Sequence, residues 1–435
     1  MTPPRQPRAG WALATVLAGL LTACASPGPV ESRRSPSLPD QPPTQIPPRQ
    51  QPALPAPGLP PPPASPARPP VVVAPAPAPK PAVVPPLVVP YLSERDGRAL
   101  VARFLPSQVR DRDGWAADIF SAFAALKIPP TADNICAAVA VIEQESTFQA
   151  DPPVPGLSQI VWKEIEARRE RLHLPRLLVD TAMLKTSPDG RSYKARIDAL
   201  RTERQMSELF DEMISEFPNG KALLGGYNPV RTGGPMQVSV AFAEEQVREK
   251  PYPYARRGSI RNEVFTRRGG LYFGIAILLD YPAPYSQPLY RFADFNAGRY
   301  SSRNVAFQAA VARLGGRALT LDGDLLRYRD GQPADEPSET LGALLAIAGR
   351  LGLGRAEISR DLRLEKTAAF AQTPLYSRVF AAADAQTGGR LPREALPRID
   401  LKSPKIQRKL TTAWFAERVD ARHRTCLGRD RSASP

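Results

Sequence analysis

The feature that most limits how this chain can fold is a long proline-rich stretch near its N-terminus. Residues 25–90 contain 25 of the chain's 51 prolines, separated mainly by Ala, Val, Ser and Gln. Because proline lacks a backbone N–H and the residues between the prolines bury little surface, such a stretch cannot build a hydrogen-bonded core. We expect extended polyproline II structure, which reaches on the order of 200 Å at full stretch. The sequence therefore predicts a tether over residues 24–90, followed by a folded part.

The folded part begins near Tyr91 and comprises roughly 345 residues, which is enough for two lobes. Its apolar residues recur mostly at helical spacing and alternating β-branched runs are scarce, so the predicted fold class is mainly α. We divide this part into a domain over 91–315, with a helical insertion at about 163–225, and a C-terminal helical lobe over 316–435. Within that lobe, Asp322-Gly323 predicts the turn of a β-hairpin over 319–328.

The first residues have the pattern of an export signal. Two arginines precede the apolar run Trp11–Leu21, which is too short to span a bilayer. Leu21-Thr22-Ala23-Cys24 then resembles a bacterial lipobox, which implies cleavage before Cys24 and diacylation of its thiol, with palmitate among the expected acyl chains. A plain secretory signal ending at Ala23 is the alternative. Since Ala25 rather than Asp follows the cysteine, analogy with known sorting rules predicts anchoring at the periplasmic face of the outer membrane.

One helix of the 91–315 domain ends on a candidate catalytic residue. Two prolines block an earlier start and Thr131 is a suitable N-cap. A buried face at helical spacing follows, made of Ile135, Ala138, Val139 and Ile142. Glu145 falls at the edge of this face, in the last turns before Asp151-Pro152-Pro153 ends the segment. Partial burial disfavours the charged carboxylate and raises its pKa, as a general acid near neutral pH requires. A surface Glu in an ordinary helix fits the same pattern.

Three short motifs occur in the order typical of lysozyme-like lytic transglycosylases. Gln144-Glu145-Ser146-Thr147-Phe148 resembles the Glu-Ser signature of that family, in which the Glu ends a helix. Gly234-Pro235-Met236-Gln237 is similar to its Gly-Leu-Met-Gln loop, and Gly156-Leu157-Ser158-Gln159 is a competing copy. Ala293-Asp294-Phe295-Asn296-Ala297-Gly298 looks like its Ala-x-Tyr-Asn-x-Gly motif, with Phe295 in place of Tyr. The resemblance covers about 131–314 and implies a lysozyme-like helical domain.

The resemblance also implies a reaction, cleavage of the MurNAc–GlcNAc bond of peptidoglycan. Glu145 would protonate the leaving oxygen and then accept the proton of the MurNAc C6 hydroxyl, which closes a 1,6-anhydro ring. The residues implied to contact the glycan strand are Ser146, Met236, Gln237, Phe295 and Asn296. This mechanism needs no cofactor and no metal. If the enzyme is instead a hydrolase, Asp151 is the candidate second carboxylate.

A non-catalytic function on the same fold is the alternative. Phe295 and the long insertion favour a peptidoglycan-binding or scaffold lipoprotein, whereas Glu145 followed by Ser146 favours an enzyme. As a whole, the chain also resembles an uncharacterised family of bacterial lipoproteins. The net charge of +15 suits anionic peptidoglycan strands. An exported lipoprotein rarely meets nucleic acid, so nucleic acid is not an expected partner.

The small number of histidines and cysteines narrows the possible chemistry. With only His173 and His423, both expected at the surface, a His-based triad or a zinc site with several His ligands is poorly supported. In an oxidising periplasm Cys136 and Cys426 form either one disulfide or two buried thiols. Seven of the twelve tyrosines fall within residues 252–300, where their rings either stack on sugars or pack in the core.

Overall fold

The computed structural model describes residues 91–256, 258–329, 332–401 and 410–431, all of which belong to one compact unit. The signal segment, Cys24 and the proline-rich tether lie outside the described residues. Within the described ranges there are 18 α-helices and three two-stranded hairpins, which confirms the prediction of a mainly α fold. No helix in this part of the chain is long and apolar enough to cross a membrane.

The first twelve helices, in chain order, are α1 (Glu94–Phe104), α2 (Arg112–Leu126), α3 (Ala132–Glu145), α4 (Leu157–Arg171), α5 (Arg176–Met183), α6 (Tyr193–Asp198), α7 (Glu203–Ser215), α8 (Gly220–Leu224), α9 (Val240–Glu249), α10 (Ile260–Val264), α11 (Arg267–Leu279) and α12 (Pro288–Ala297). The remaining helices are α13 (Ser301–Gly315), α14 (Glu339–Ala346), α15 (Ala348–Leu351), α16 (Arg355–Leu362), α17 (Pro374–Thr387) and α18 (Thr412–Arg431). The antiparallel strand pairs are β1 (Thr232–Gly233) with β2 (Val238–Ser239), β3 (Tyr328–Arg329) with β4 (Gln332–Pro333), and β5 (Asp400–Leu401) with β6 (Leu410–Thr411).

The first hydrophobic cluster is organised around α3. Every residue from Ile135 to Ile142 is buried, and α1, α11 and α18 pack around this helix. Thr131 caps α3 as predicted, because its side chain accepts a hydrogen bond from the Asn134 N–H. A disulfide between Cys136 and Cys426 ties α3 to α18 across 290 residues, a link worth about 5–6 kcal/mol in the chain-entropy account. The last helix, α18, therefore packs in the first cluster. The domain boundaries predicted from the sequence assign its residues to the C-terminal lobe instead.

The segment between α3 and β1 has a small hydrophobic core of its own. Apolar side chains from α4 to α7 form it, including Val161, Tyr193 and Phe210. The segment before α4 is joined to the segment before α7, since the Val154 N–H donates to the Arg201 carbonyl at 2.8 Å. The helices of the insertion therefore pack on one another through their apolar faces.

The third hydrophobic cluster is formed by residues of α13 to α17, from Ala306 to Ala383. Asp294, at the end of α12, links it to the first cluster. Its buried carboxylate accepts hydrogen bonds from the backbone N–H groups of Tyr300 and Ser302 at 2.8 and 2.7 Å. These donors open α13, so the carboxylate serves the helix N-terminus as a cap.

Two predictions, one for residues 319–328 and one for His423 in α18, are wrong, and both fail because tertiary contacts override local pattern. The hairpin is formed by β3 and β4 rather than over residues 319–328. Gln308 instead binds Asp322-Gly323, donating to the carboxylate and accepting from the Gly323 N–H, each at 2.9 Å. His423 is only 3% exposed, because its Nε2 lies 3.2 Å from the Asp133 carbonyl and its ring packs near Phe292.

Candidate functional site

Glu145 is the last residue of α3 and is half-buried, as expected for a side chain where a core helix emerges. Ser146 ends the helix. Its N–H and its hydroxyl both donate to the Ile142 carbonyl, at 3.0 and 3.1 Å, and the side chain is only 5% exposed. The hydroxyl of Ser146 therefore fixes the helical turn that carries Glu145, a positioning role beside the substrate contact predicted for it.

The backbone directly after Ser146 is strained. Thr147 and Phe148 have φ angles of 50° and 58°, in the left-handed region that non-glycine residues rarely occupy. Thr147 is β-branched, which makes this conformation costlier still. Two such residues in succession persist only where the surrounding structure holds them, and strain of this kind concentrates at functional sites.

Phe148 is held in place by α2 and the start of α11. Its ring and that of Trp115 form a T-shaped pair with 5.3 Å between centroids. The Arg267 guanidinium lies 5.4 Å from the Trp115 centroid and donates to Asp118 and Asp111, each at 2.6 Å. The hydrogen bond from Arg267 holds the pKa of the Asp111 carboxyl below its ordinary value, which keeps this ion pair charged.

The second motif forms the turn between β1 and β2. The Gln237 N–H donates to the Gly234 carbonyl at 3.1 Å and Pro235 occupies the second position, as in common β-turns. Met236 is fully buried, so this residue, predicted to contact substrate, serves the core. Gln237 also has a left-handed backbone, with φ 48°, and its Nε2 lies 3.3 Å from the Gly234 carbonyl.

This turn rests on a glycine-lined face of α11. A Cβ at Gly274 would lie 2.3 Å from Met236 Sδ, and one at Gly270 would lie 2.5 Å from Pro235 Cδ. Only glycine permits so close an approach. The turn thus packs directly on α11. The loop after Glu145 is linked to the start of that helix indirectly, through Phe148 on Trp115 and Arg267 over Trp115.

The competing copy of the second motif has different surroundings. Gly156 precedes α4 with φ 69°, Leu157 is buried in the core of the insertion, and Gln159 is exposed on the first turn of that helix. The copy opens a helix of the insertion, whereas the 234–237 copy packs on α11.

The third motif contacts α18 and the other end of α11. The Phe295 ring lies parallel to Phe415 at 6.4 Å, and the exposed Asn296 accepts a hydrogen bond from the Thr412 hydroxyl at 2.9 Å. Arg299, just past the motif, donates to the Ala276 carbonyl at 2.6 Å. That carbonyl is nine residues beyond Arg267, or about 14 Å along the helix. The third motif thus contacts α11 about 14 Å from Arg267, but only two residues beyond Gly274, on which Met236 of the second motif packs.

Asp151 and the tyrosines have structural partners. Asp151 accepts from the Thr202 hydroxyl at 3.0 Å and pairs with Arg204 at 3.1 Å, which secures the insertion. Tyr281 and Tyr285 both donate to the Asp294 carboxylate. Other rings pack on one another in the first cluster, including Tyr252, Tyr254 and Tyr272. For these tyrosines, core packing rather than stacking on sugar is the role that the contacts support.

Four residues that shape this site belong to none of the three motifs: Trp115, Arg267, Gly270 and Gly274. The glycines leave one sequence signal, since two of them four residues apart in a buried helix indicate close packing of another segment. Trp115 and Arg267 leave none, because contacts spanning about 150 residues bring them together. Among the described residues, no cluster of three or more His, Cys, Asp or Glu side chains is suited to hold a metal ion. The first two motifs offer one carboxylate, at the end of α3, and one amide, at the β1–β2 turn, and a single carboxylate suits acid–base chemistry by one group.

Comparison with known proteins gives the chain's relationships. A family model described as "Protein of unknown function (DUF1615)" matches residues 108–429. The "Uncharacterized protein YaiW" of Escherichia coli (strain K12) is 52% identical over 332 residues, which cover 76% of this chain and 90% of that protein. No solved structure matches, so the lysozyme-like fold stays a prediction. The matched residues include the whole candidate site, and the chain belongs to the DUF1615 family.

Proposed function

We propose that this protein cleaves the glycan strands of peptidoglycan, with Glu145 as the single acid and base. The observation that carries the proposal is the pair of left-handed residues, Thr147 and Phe148, directly after Glu145. Strain is retained at functional sites because it fixes side chains in the geometry that the chemistry requires. A strained turn next to a half-buried Glu at a helix end suits a carboxylate that must stay in position.

The proposed reaction uses one group twice. Glu145 first protonates the glycosidic oxygen that leaves from the MurNAc–GlcNAc bond. Its carboxylate then accepts the proton of the MurNAc C6 hydroxyl, whose oxygen attacks C1 and closes a 1,6-anhydro ring. The intramolecular attack needs neither water nor a second carboxylate. This fits a site in which Asp151 is already bound by Thr202 and Arg204. The Gln237 amide, with its donor and acceptor atoms, is the candidate for binding sugar hydroxyls.

The proposed location follows from the sequence ahead of Tyr91. Diacylation of Cys24 would anchor the chain in the outer membrane, and the proline-rich tether would let the folded part reach the peptidoglycan. The excess of basic residues favours contact with anionic wall polymer.

Digestion of purified peptidoglycan tests the proposal. The chain from Ala25 to Pro435 and its Glu145→Gln variant are incubated with the wall material, and the soluble products are read by mass spectrometry. Glu143→Gln is the matched control, because Glu143 is two residues earlier on α3 and faces Arg422 and Arg429 instead. We expect anhydro-muropeptides from the parent and the control, and none from Glu145→Gln. Reducing-end products would show hydrolysis instead.

A non-catalytic peptidoglycan-binding role is the second candidate. The third motif favours it, since Phe295 lacks the phenolic hydroxyl of the transglycosylase pattern and Asn296 accepts from Thr412. In that case the parent chain would sediment with the wall material and release no product, and Glu145→Gln would sediment equally well.

A further inference from the structure

The two halves of α18 are held to the rest of the protein in different ways. The first half buries three apolar side chains in the first cluster: Phe415, Ala416 and Val419. From residue 420 onward most of the described side chains are exposed or half-buried, and those that are buried belong to His423 and Cys426. We call residues 420–431 the terminal half of α18. Few contacts hold it in place, and one of them is the disulfide to Cys136.

The noncovalent contacts of the terminal half are weak. Arg422 and Arg429 lie 4.0 and 3.6 Å from the Glu143 carboxylate, and ion pairs this long between partly exposed groups contribute little. Arg429 also donates to the Phe104 carbonyl at 2.8 Å, and His423 Nε2 lies 3.2 Å from a carbonyl in the first turn of α3. Since a terminal segment held by such contacts opens more readily than the whole protein unfolds, the disulfide is what keeps this half docked.

The disulfide is closed off once the terminal half is docked. Cys136 and Cys426 are each 0% exposed, so a reductant or an oxidant reaches their sulfur atoms only while the terminal half is away from α3. The bond must therefore form before that half is fully docked. Once formed, it prevents that half from leaving again.

We propose that oxidation of Cys136 and Cys426 is a redox lock, which fixes the terminal half of α18 on α3, and that this half undocks in the dithiol form. The step joins the two sulfur atoms and releases two protons and two electrons, which reduce a disulfide of another molecule to two thiols. Because the terminal half contacts α3 from its first turn to its last, its undocking loosens the helix that ends at Glu145. The effect on cleavage rests on the proposed function, whereas the undocking does not.

Hydrogen–deuterium exchange read by mass spectrometry tests the lock. In the chain from Ala25 to Pro435, Cys136 and Cys426 are the only cysteines. This parent is unfolded in urea with dithiothreitol and is then refolded either in dithiothreitol or with glutathione disulfide. A double variant with Cys136→Ala and Cys426→Ala, which cannot form the bond, receives both treatments as the matched control. Peptides from α17, in the third cluster, are the internal reference, and peptidoglycan cleavage is measured on the same samples.

We expect the terminal half to exchange about tenfold faster in the reduced parent than in the oxidised parent, while α17 exchanges equally in both. The double variant should match the reduced parent after either treatment, which separates the lock from other effects of the reductant. Cleavage should fall several-fold in the reduced parent and in the double variant.

Equal exchange of the terminal half in the oxidised and reduced parent would overturn the proposal. An equal acceleration in α17 would also overturn it, because the bond would then stabilise the whole protein rather than one half of a helix. Faster exchange with undiminished cleavage would refute the effect on the candidate site. An oxidised parent that cleaves nothing would refute the proposed function, and the exchange comparison would still decide whether the lock exists.

Discussion

Thr147 is the residue whose backbone strain is most easily relieved, because its side chain is exposed while Phe148 packs on Trp115. A left-handed conformation costs an L-residue about 1–2 kcal/mol, and glycine avoids this cost while losing about 0.5–1 kcal/mol of backbone entropy. We therefore expect Thr147→Gly to raise the free energy of unfolding by about 0.5–1 kcal/mol. If the strain positions Glu145, the same change should slow peptidoglycan cleavage several-fold.

Lys127 provides the control for this prediction. It is exposed, has φ 56° and ends α2, so Lys127→Gly relieves the same kind of strain at another place. Urea unfolding should show a similar gain in stability for both variants, and only Thr147→Gly should lose activity. Full activity in Thr147→Gly would mean that the strain has no part in positioning Glu145.

Glu365 gives the protein a pH-dependent stability. Its fully buried carboxyl accepts from the Leu326 N–H at 3.2 Å and the Tyr328 hydroxyl at 2.6 Å, and burial raises its pKa from 4.5 to about 7. The folded state thus favours the protonated form. Its contribution is complete below about pH 4.5 and is lost as the pH rises through about 7. We expect the free energy of unfolding to fall by up to about 3 kcal/mol between those values.

The variant Glu365→Gln cannot titrate, so this part of the pH dependence should disappear from it. The measurement is urea unfolding at several pH values from about 5 to about 8, comparing slopes rather than absolute stabilities because the amide also alters the hydrogen bonds. Parallel slopes in parent and variant would assign the pH dependence to other groups, such as Asp294 and Asp322, whose pKa values burial also raises.

At the scale of elements, α11 is the helix on which the candidate site depends. Gly274→Ala would place a methyl group 2.3 Å from Met236 Sδ and 2.6 Å from Met236 Cβ, so the Gly234–Gln237 turn must shift. We expect a loss of about 1–3 kcal/mol in stability and a clear loss of peptidoglycan cleavage. Gly349→Ala, in α15, is the control, because nothing lies within 4 Å of its added Cβ and alanine favours a helix. Unchanged activity in Gly274→Ala would separate the turn from the site.

The elements that could be predicted from sequence are those whose start and buried face depend on neighbouring residues in the chain. Thr131 and the prolines before it mark the start of α3, and its buried face follows from apolar spacing. The C-terminal end of α3 could not be predicted from local sequence in the same way. The helical pattern continues to Gln149, but α3 stops at Glu145, because Thr147 and Phe148 take a left-handed conformation that tertiary contacts hold. Glu145 and Gln237 are found by motif, while Trp115 and Arg267 depend on packing between distant segments.

At the scale of the whole molecule, Asp294 lies between the first cluster and the third, and we expect it to couple their unfolding. Its carboxylate joins Tyr281 and Tyr285, ahead of α12, to the N–H groups that open α13. Burial raises its pKa, yet four donors surround it and offset the cost of burying the carboxylate. In the sequence Asp294 is only a variable position of a motif, because its donors come from two segments, one on either side of α12, that the fold brings together.

Removing this carboxylate should uncouple the two clusters. Asp294→Ala leaves buried N–H and hydroxyl groups without their acceptor, and we expect it to cost on the order of 3–5 kcal/mol. The tryptophans of the chain from Ala25 onward are Trp115, Trp162 and Trp414, none of them between Ala306 and Ala383. Their fluorescence therefore reports the first cluster and the insertion, whereas far-UV circular dichroism reports all helices. In urea the two signals should coincide for the parent, and in the variant the dichroism should begin to fall first. Coincident transitions in both proteins would mean that Asp294 stabilises the turn between α12 and α13 without coupling the clusters.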